Sequence, residues 1–367
     1  MAADIRSLTG VRGVAAVAIV IYHFGEVHLN DGGMLSYFGI PHGYLLVEMF
    51  FMLSGYVIGY NYKDSFNSGS LRYYFTFMLK RVARLYPAFL VIGLLYIAKI
   101  AAGLNGNATL AQFSLWDVIG NLLMINGWGL HINPVIGVSW ASSTEMGSYF
   151  LLPILMGATL RRSPWVCGLA VLAAFFAVYM ISISGRGASG PLDVVNGDTL
   201  YPLMRAISGF TIGLAIFRFA YLLDRVPMAA QDALLVVVLA GIVTISATAA
   251  GDLRLYLFFI ALVALLSRDG RLAQILFGNA LVYHLGIISY SIYLIHPLFV
   301  SFAVRAWRNF GQTREVYIAA TVVCFALIWL LSWLSYRFVE MPGRKWIVDT
   351  FIPKANLKAV TSKNAPA

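Results

Sequence analysis

Apolar runs long enough to cross a lipid bilayer recur along almost the whole chain, and they limit the fold more than any other feature. A transmembrane helix needs about 20 predominantly apolar residues. The runs therefore predict an all-α, polytopic membrane protein of about ten helices, in which the eighth run is the shortest. The ten segments are 8–28, 43–61, 86–103, 144–160, 165–184, 199–218, 231–250, 254–267, 280–302 and 316–337.

Composition agrees with a membrane protein. Of the 367 residues, 60% are hydrophobic and 11% are charged, whereas a soluble domain carries about 25% charged residues. Asp4 and the lack of a small-residue cleavage site argue against a cleaved signal peptide at the N-terminus. Cys167 and Cys324 both fall inside apolar runs, so we expect neither a disulfide framework nor a metal-ligand cluster.

Lysine and arginine residues predict the orientation, because cytoplasmic loops of membrane proteins are enriched in them. With the N-terminus in the cytoplasm, nineteen of these residues lie on the inner side and five on the outer side. We therefore expect both termini in the cytoplasm, and the net charge of +10 reflects loops rather than nucleic-acid binding. Residues 1–345 are predicted to form the transmembrane domain, and 346–367 a disordered cytoplasmic polar tail. The stretch 112–140 is interpreted as a re-entrant or surface helix.

The first segment carries two groups that are costly in hydrocarbon, Arg12 and His23. Eleven residues are almost three helical turns, so the two side chains share one face about 16 Å apart. Arg12 would lie at the inner mouth, and His23 in the outer third. Two interpretations remain open. Arg12 snorkels to the interface and His23 bonds a carbonyl, or the face lines a passage for a long ligand with an anionic head.

Four other ionisable residues are predicted to lie at the depth of His23. They are Glu48, Glu145, Arg205 and His296, each near the outer end of its segment. Intramembrane ionisable groups usually face a cavity and find partners. A carboxylate such as Glu48 beside His23 would hold the imidazole in one tautomer.

A second cluster of charged residues, at the predicted start of the third segment, is basic. Lys80, Arg81 and Arg84 lie in LKRVARLYP. Anchoring by the positive-inside rule accounts for most of these cations. A functional site needs only one or two of them to bind phosphate, and Arg84 is the best placed.

Six motifs occur in order along nearly the whole chain. They are IRSLTGVRGVAAVAIVIYHF with its arginine-x10-histidine spacing, FFMLSGYVI, LKRVARLYPAF, the W-x-x-x-x-E of Trp140 to Glu145, ISYSIYLIHPL, and the E-x-P of Glu340 to Pro342. In the order and spacing of these motifs the chain resembles the acyltransferase-3 family of integral-membrane O-acyltransferases. Two departures occur, since His42-Gly43 stands where the family often has Gly-Gly, and Glu48 where it often has aspartate.

The resemblance implies ten membrane helices in the bacterial inner membrane, a cytoplasmic acyl-coenzyme A donor (acetyl-CoA by default), and a cell-envelope or exported carbohydrate as acceptor, such as exopolysaccharide or lipopolysaccharide. His23 would be a general base or a transient acyl carrier, and no metal is expected. On this interpretation the catalytic residues are His23, Glu48 and Glu145, the coenzyme-binding residues are Arg12, Lys80, Arg81 and Arg84, and the acceptor-binding residues are Trp140, Tyr149, Arg205 and His296.

Two other classes of protein remain. A transporter of a small polar or anionic solute also buries charges, but transporters often show inverted repeats with broken helices at matching positions, and no such pairing is visible in the sequence. A structural membrane scaffold gives no reason for several ionisable groups at one depth.

Overall fold

The computed structural model describes residues 4–25, 41–63, 71–104, 108–246 and 251–353. Within these ranges the chain forms helices and no strands. The helices are α1 (Arg6–Gly25), α2 (Leu46–Tyr62), α3 (Leu71–Ala101), α4 (Leu115–Leu122), α5 (Trp140–Phe150), α6 (Leu152–Met156), α7 (Pro164–Ser182), α8 (Tyr201–Phe219), α9 (Met228–Ser246), α10 (Asp252–Leu266), α11 (Arg271–Leu276), α12 (Ala280–Ile287), α13 (Ser289–Asn309), α14 (Arg314–Ser335) and α15 (Met341–Phe351).

Each of the ten predicted segments is mostly helical where it is described. Seven helical stretches in the described part are long and apolar enough to cross a membrane, and the pair α12 and α13, bent by 72°, makes an eighth if it is one span. The fourth predicted segment coincides with α5, α6 and a π-helical turn at Gly157–Arg161, and the eighth with the 15-residue α10. The multi-pass membrane fold is therefore confirmed, whereas the count of ten and the orientation stay predictions.

Three boundaries differ from those predicted. Helix α3 begins at Leu71 rather than near residue 86, so Lys80, Arg81 and Arg84 lie within a 31-residue helix and not at its start. The stretch 112–140 contains the eight-residue α4, capped by Ser114, and no other α-helix before α5 begins at Trp140. Helix α15 continues to Phe351 across the predicted domain boundary at residue 345. The predicted tail therefore begins inside a helix, and residues 354–367 lie outside the described part.

Hydrogen bonds hold the irregular segment that follows α4 in place. Asp117 accepts hydrogen bonds from the Ser114 hydroxyl at 2.6 Å and from the Asn133 backbone N–H at 2.6 Å. These bonds stabilise the carboxylate, so the pKa of Asp117 lies below its ordinary value. The segment then leads into α5, whose first residue is Trp140.

Glycine residues let the helices that carry the site approach closely. A Cβ atom on Gly13 of α1 would lie 2.5 Å from the backbone nitrogen of Gly286 in α12. A Cβ atom on Gly213 of α8 would lie 2.0 Å from the carbonyl oxygen of Met52 in α2. Small residues at helix contacts allow backbone packing within membranes. They fix α1 against α12, and α2 against α8.

Candidate active site

Arg12 and His23 lie on one uninterrupted helix, α1, as predicted. Their separation along its axis is about 16 Å. Both side chains are partly exposed. The residues between them on that face, Ala15, Ala16 and Ile19, are at most 1% exposed. The predicted passage along this face is therefore filled by packed side chains in this structure.

At the far end of α1, two histidine rings stack. The ring centroids of His23 and His296 lie 5.0 Å apart, with an interplanar angle of 25°. Tyr293 lies beside His296 at 5.9 Å and donates its hydroxyl to the carbonyl oxygen of Val138. We call His23, Tyr293 and His296 the histidine group.

His296 retains one ring nitrogen for a further contact. The side chain is fully buried, and its Nδ1 lies 3.2 Å from the carbonyl oxygen of Ile292. Its Nε2 atom has no hydrogen-bond partner within the described ranges. A buried polar atom without a partner is costly and is expected to acquire one from water or a ligand.

Glu48 and Arg205 form a buried ion pair. Arg205 Nε donates to Glu48 Oε1 at 2.6 Å, and both side chains are 1% exposed. The guanidinium also donates to the carbonyl oxygen of Val194 at 2.8 Å and lies 4.9 Å from the centre of the Trp140 ring. Glu48 Oε2 and Arg205 Nη2 lack hydrogen-bond partners in the described part of the chain. We call Glu48, Trp140 and Arg205 the ion-pair group.

The ion-pair group adjoins the histidine group. Tyr293 donates a hydrogen bond to the carbonyl oxygen of Val138, two residues before Trp140, and the Trp140 ring lies 4.9 Å from the Arg205 guanidinium. The structure therefore brings together His23, His296, Glu48, Arg205 and Trp140. The main partner of Glu48 is nevertheless Arg205, which differs from the prediction that Glu48 orients His23. That orienting role stays a prediction.

The arginine group lies at the other level of α1 and contains Arg12, Arg81, Arg84 and Arg344. Arg84 lies close enough to Arg12 and to Arg344 for their positive charges to repel one another. Arg81 donates to the Tyr62 hydroxyl at 2.9 Å and lies over the ring of Tyr62. These contacts hold Arg81 in place.

Two carboxylates accompany the arginine group. Glu145 accepts hydrogen bonds from the hydroxyls of Ser54 and Tyr149, the second at 2.5 Å, and its charge acts on Arg12. Glu340 accepts a hydrogen bond from Ser291 at 2.5 Å, and the charges of Arg84 and Arg12 act on it. Four cations and two carboxylates leave an excess of positive charge, which suits phosphate.

The placement of Glu145 corrects the prediction that this residue shares the depth of His23. Trp140 lies with the ion-pair group, but Glu145 follows it by five residues and Tyr149 by nine. Helix α5 therefore carries them about 7.5 Å and about 13.5 Å along its axis toward the arginine group. Tyr149 also lies 5.8 Å from the guanidinium of Arg81.

Sequence reasoning gave no site role to Tyr293, Glu340 or Arg344. Tyr293 precedes His296 by three residues, so a helical wheel already places the two on one face. Glu340 stood in the E-x-P motif, and Arg344 follows it by four residues. Lys80 lies beside the arginine group, because it is close enough to Tyr62, the partner of Arg81, to interact with it electrostatically. Within the described ranges, no cluster of three or more His, Cys, Asp or Glu residues could hold a metal ion.

Comparisons with known proteins find acyltransferases among the proteins to which this chain is similar. The chain is 26% identical to the acyltransferase MdmB of Streptomyces mycarofaciens, over 92% of this chain and 90% of that protein. It is 23% identical to a Staphylococcus aureus (strain COL) protein named as an O-acetyltransferase, SACOL0978, and spans 57% of that longer protein. It is also 23% identical to a Komagataeibacter xylinus protein named as a membrane-bound transacylase, BcsY, over 92% of this chain and 82% of that protein.

No solved structure gave a significant match to the chain. The family model Acyl_transf_3, described as an acyltransferase domain, matches residues 5–337. This range includes Arg12, His23, the ion-pair group and all of α13. The chain therefore belongs to the acyltransferase-3 family of membrane acyltransferases.

Proposed function

We propose that the protein is an O-acetyltransferase of the bacterial inner membrane. It would move an acetyl group from cytoplasmic acetyl-CoA to a hydroxyl group of a cell-envelope or exported carbohydrate. The observation that carries this proposal is the family match over 5–337, together with relatives named as an O-acetyltransferase and a transacylase. The two-level arrangement of charged groups along α1 supports it.

The arginine group is the proposed site for the coenzyme A phosphates. Arg12 and Arg84 are the first candidates, because both side chains are partly exposed and their positive charges lie close together. Arg344 and Lys80 add positive charge nearby. Bidentate guanidinium–phosphate contacts are strong and directional. Arg81, already bonded to Tyr62, supports the site through its charge.

The histidine group is the proposed site of acyl transfer. In the direct route, His23 removes the proton from the acceptor hydroxyl while the hydroxyl oxygen attacks the thioester carbonyl carbon. The carbon–sulfur bond breaks, a carbon–oxygen bond forms, and the proton passes to the departing thiolate. In the alternative route, His23 first accepts the acetyl group and the acceptor hydroxyl then removes it. Because Ala15, Ala16 and Ile19 are packed, either route requires the contacts over that face to open when the donor binds.

The ion-pair group is the proposed contact for the acceptor. The Trp140 ring offers an apolar face for a sugar ring, and the orphaned Nη2 of Arg205 offers a hydrogen-bond donor. Because Glu48 compensates the charge of Arg205, the pair suits a neutral hydroxyl group. His296 Nε2 provides a further polar contact on the side of His23.

The test measures coenzyme A thiol release by purified protein in detergent, with acetyl-CoA and an oligosaccharide acceptor. Positioned base catalysis contributes about 10²–10⁴ in rate. We expect His23→Ala to lower release by that factor while the thermal unfolding curve stays in place. A His23→Ala variant with full activity would remove His23 from the mechanism, and a wild-type chain that consumes no acetyl-CoA would favour a transporter instead.

A further inference from the structure

The turn of α13 that carries His296 is held in place by two hydrogen bonds from α3. The Tyr96 hydroxyl donates to the carbonyl oxygen of Leu294 at 3.3 Å, and Lys99 Nζ donates to the carbonyl oxygen of Leu298 at 3.1 Å. All five residues are buried. Because the two bonds flank His296 in the sequence, the backbone that positions its ring is fixed on both sides.

The local backbone determines which nitrogen of the His296 ring carries the proton. Pro297 has no N–H, so it donates no helical hydrogen bond to the carbonyl of Tyr293, four residues earlier. The His296 ring interacts with the backbone of Tyr293, and its Nδ1 lies 3.2 Å from the carbonyl oxygen of Ile292. A carbonyl oxygen only accepts hydrogen bonds, so Nδ1 is the donor in this contact. In the neutral ring the lone pair is then on Nε2.

This lone pair of His296 has no donor within the described ranges. Nε2 points away from α13, because Nδ1 is turned toward the helix backbone, and Nε2 is buried without a hydrogen-bond partner. A buried acceptor without a donor is costly. An apolar ring would fill the same position without that cost, so packing alone does not explain a histidine here. The nitrogen instead suits a ligand group that donates a hydrogen bond, as a hydroxyl group does.

The two stacked imidazoles differ in what each transfer route asks of them. Their ring centres lie 5.0 Å apart, and the His23 ring is the more exposed of the two. The direct route uses one imidazole as a base and leaves the other without a task. The acyl-carrier route needs two, because a His23 nitrogen that holds the acetyl group no longer accepts a proton from the acceptor hydroxyl. The stacked pair therefore favours the acyl-carrier route.

We propose that His296 is the general base for the acceptor hydroxyl, while His23 carries the acetyl group. This inference rests on the acetyl transfer proposed above and selects the second of its two routes. In the first step, a His23 nitrogen attacks the thioester carbonyl carbon. A carbon–nitrogen bond forms, the carbon–sulfur bond breaks, and the proton of the His23 ring passes to the departing thiolate.

In the second step, the acceptor oxygen attacks the acetyl carbon while its proton passes to His296 Nε2. A carbon–oxygen bond forms and the bond to the His23 nitrogen breaks. The proton then passes from His296 to that nitrogen, so both rings return to the neutral form. His296 therefore takes part in the second step and not in the first.

The experiment measures the two steps separately with the purified full chain in detergent. Exchange of isotope-labelled coenzyme A into acetyl-CoA, without acceptor, reports the first step, and acetylation of an oligosaccharide reports both. His296→Phe keeps an aromatic ring against His23 but removes Nε2. We expect this variant to lower transfer by about 10²–10⁴ and to exchange coenzyme A at the wild-type rate. His23→Ala should lose both reactions.

The matched control is the same substitution at another histidine, His284→Phe. His284 lies on α12, outside the histidine group, and its ring packs against Trp329 with 6.2 Å between the ring centres. Both reactions should keep their wild-type rates in this variant. If His296→Phe unfolds, His296→Gln replaces it, because the amide still donates hydrogen bonds to the helix backbone but is not a base.

Three results would overturn the assignment of His296 and leave acetyl transfer standing. The first is a wild-type chain that acetylates the oligosaccharide without exchange, because transfer is then direct. The second is wild-type transfer by His296→Phe. The third is an equal loss of exchange and transfer in that variant, because the ring then only supports His23. A wild-type chain that neither exchanges nor transfers would reject the proposed function itself, and this inference with it.

Discussion

Replacing Glu48 with glutamine tests whether the ion-pair group is a preorganised part of the site. The carboxylate lies 2.6 Å from Arg205 Nε, and both side chains are 1% exposed. Glu48→Gln keeps the size of the side chain but leaves the guanidinium without a counter-charge. Removal of one partner from a buried ion pair costs about 3–5 kcal/mol. We expect a loss of this size in the free energy of unfolding.

The matched control is Asp198→Asn. Asp198 pairs with Arg186 at 3.8 Å, with the two side chains 46% and 55% exposed. Exposed pairs contribute about 0–1 kcal/mol. Both variants, together with Glu48→Gln/Arg205→Met, are unfolded in the same detergent and followed by tryptophan fluorescence. The double variant should recover much of the loss, because no unpaired charge remains.

Equal stability losses in Glu48→Gln and Asp198→Asn would refute this reasoning, because they would show that Arg205 reaches water despite its burial. A double variant no more stable than Glu48→Gln would also refute it, because the cost would then not come from the stranded guanidinium. Coenzyme A release by the same variants separates stability from acceptor binding. If the pair contacts the acceptor, Glu48→Gln raises KM for the glycan at temperatures where the protein is folded.

Two further predictions concern the two ends of the site. Arg84→Gln should weaken acetyl-CoA binding at least tenfold by calorimetry, since a charge-assisted hydrogen bond contributes about 1.5–3 kcal/mol. The control Lys345→Gln should leave the affinity unchanged. Equal affinities in the two variants would show that Arg84 does not bind the coenzyme. Asp252 accepts hydrogen bonds from His42 Nδ1 at 2.9 Å, the Tyr44 hydroxyl at 2.7 Å and the Leu192 N–H at 2.8 Å. Asp252 therefore holds Leu192, which lies two residues before Val194, and the Val194 carbonyl oxygen accepts a hydrogen bond from Arg205. Asp252→Asn should raise KM for the acceptor more than it changes KM for acetyl-CoA. An unchanged acceptor KM would contradict this.

The sequence was most informative where one helix decides the geometry. The prediction that Arg12 and His23 share one helix face required only the period of an α-helix, and α1 is continuous between them. The family resemblance is confirmed by the match over 5–337. The length of apolar runs identified the helical segments but misplaced the start of α3. Residues 71–85 mix aromatic, apolar and basic side chains, so they do not form an apolar run although they are helical.

The errors concern contacts between helices. Depth from the outer surface grouped Glu145 with His23, but depth alone does not determine which neighbour a helix face meets. The structure instead gives Glu145 a hydrogen bond from Ser54, six residues beyond Glu48 on α2. Glu48 and Arg205 are 157 residues apart in the sequence. Their contact depends on the packing of α2 against α8, which a pattern within one helix does not predict.

The two groups joined by α1 differ in how their charges are compensated, and this difference gives each group its proposed task. In the ion-pair group, one carboxylate offsets one guanidinium and both are excluded from water, so the pair can orient a neutral hydroxyl without attracting a phosphate. In the arginine group, four cations face two carboxylates, so an anion improves the balance. Packed Ala15, Ala16 and Ile19 separate the two groups in this structure. A donor with an anionic head and a narrow arm therefore gains binding energy at the arginine group, which can be used to open that packing and bring the thioester to His23.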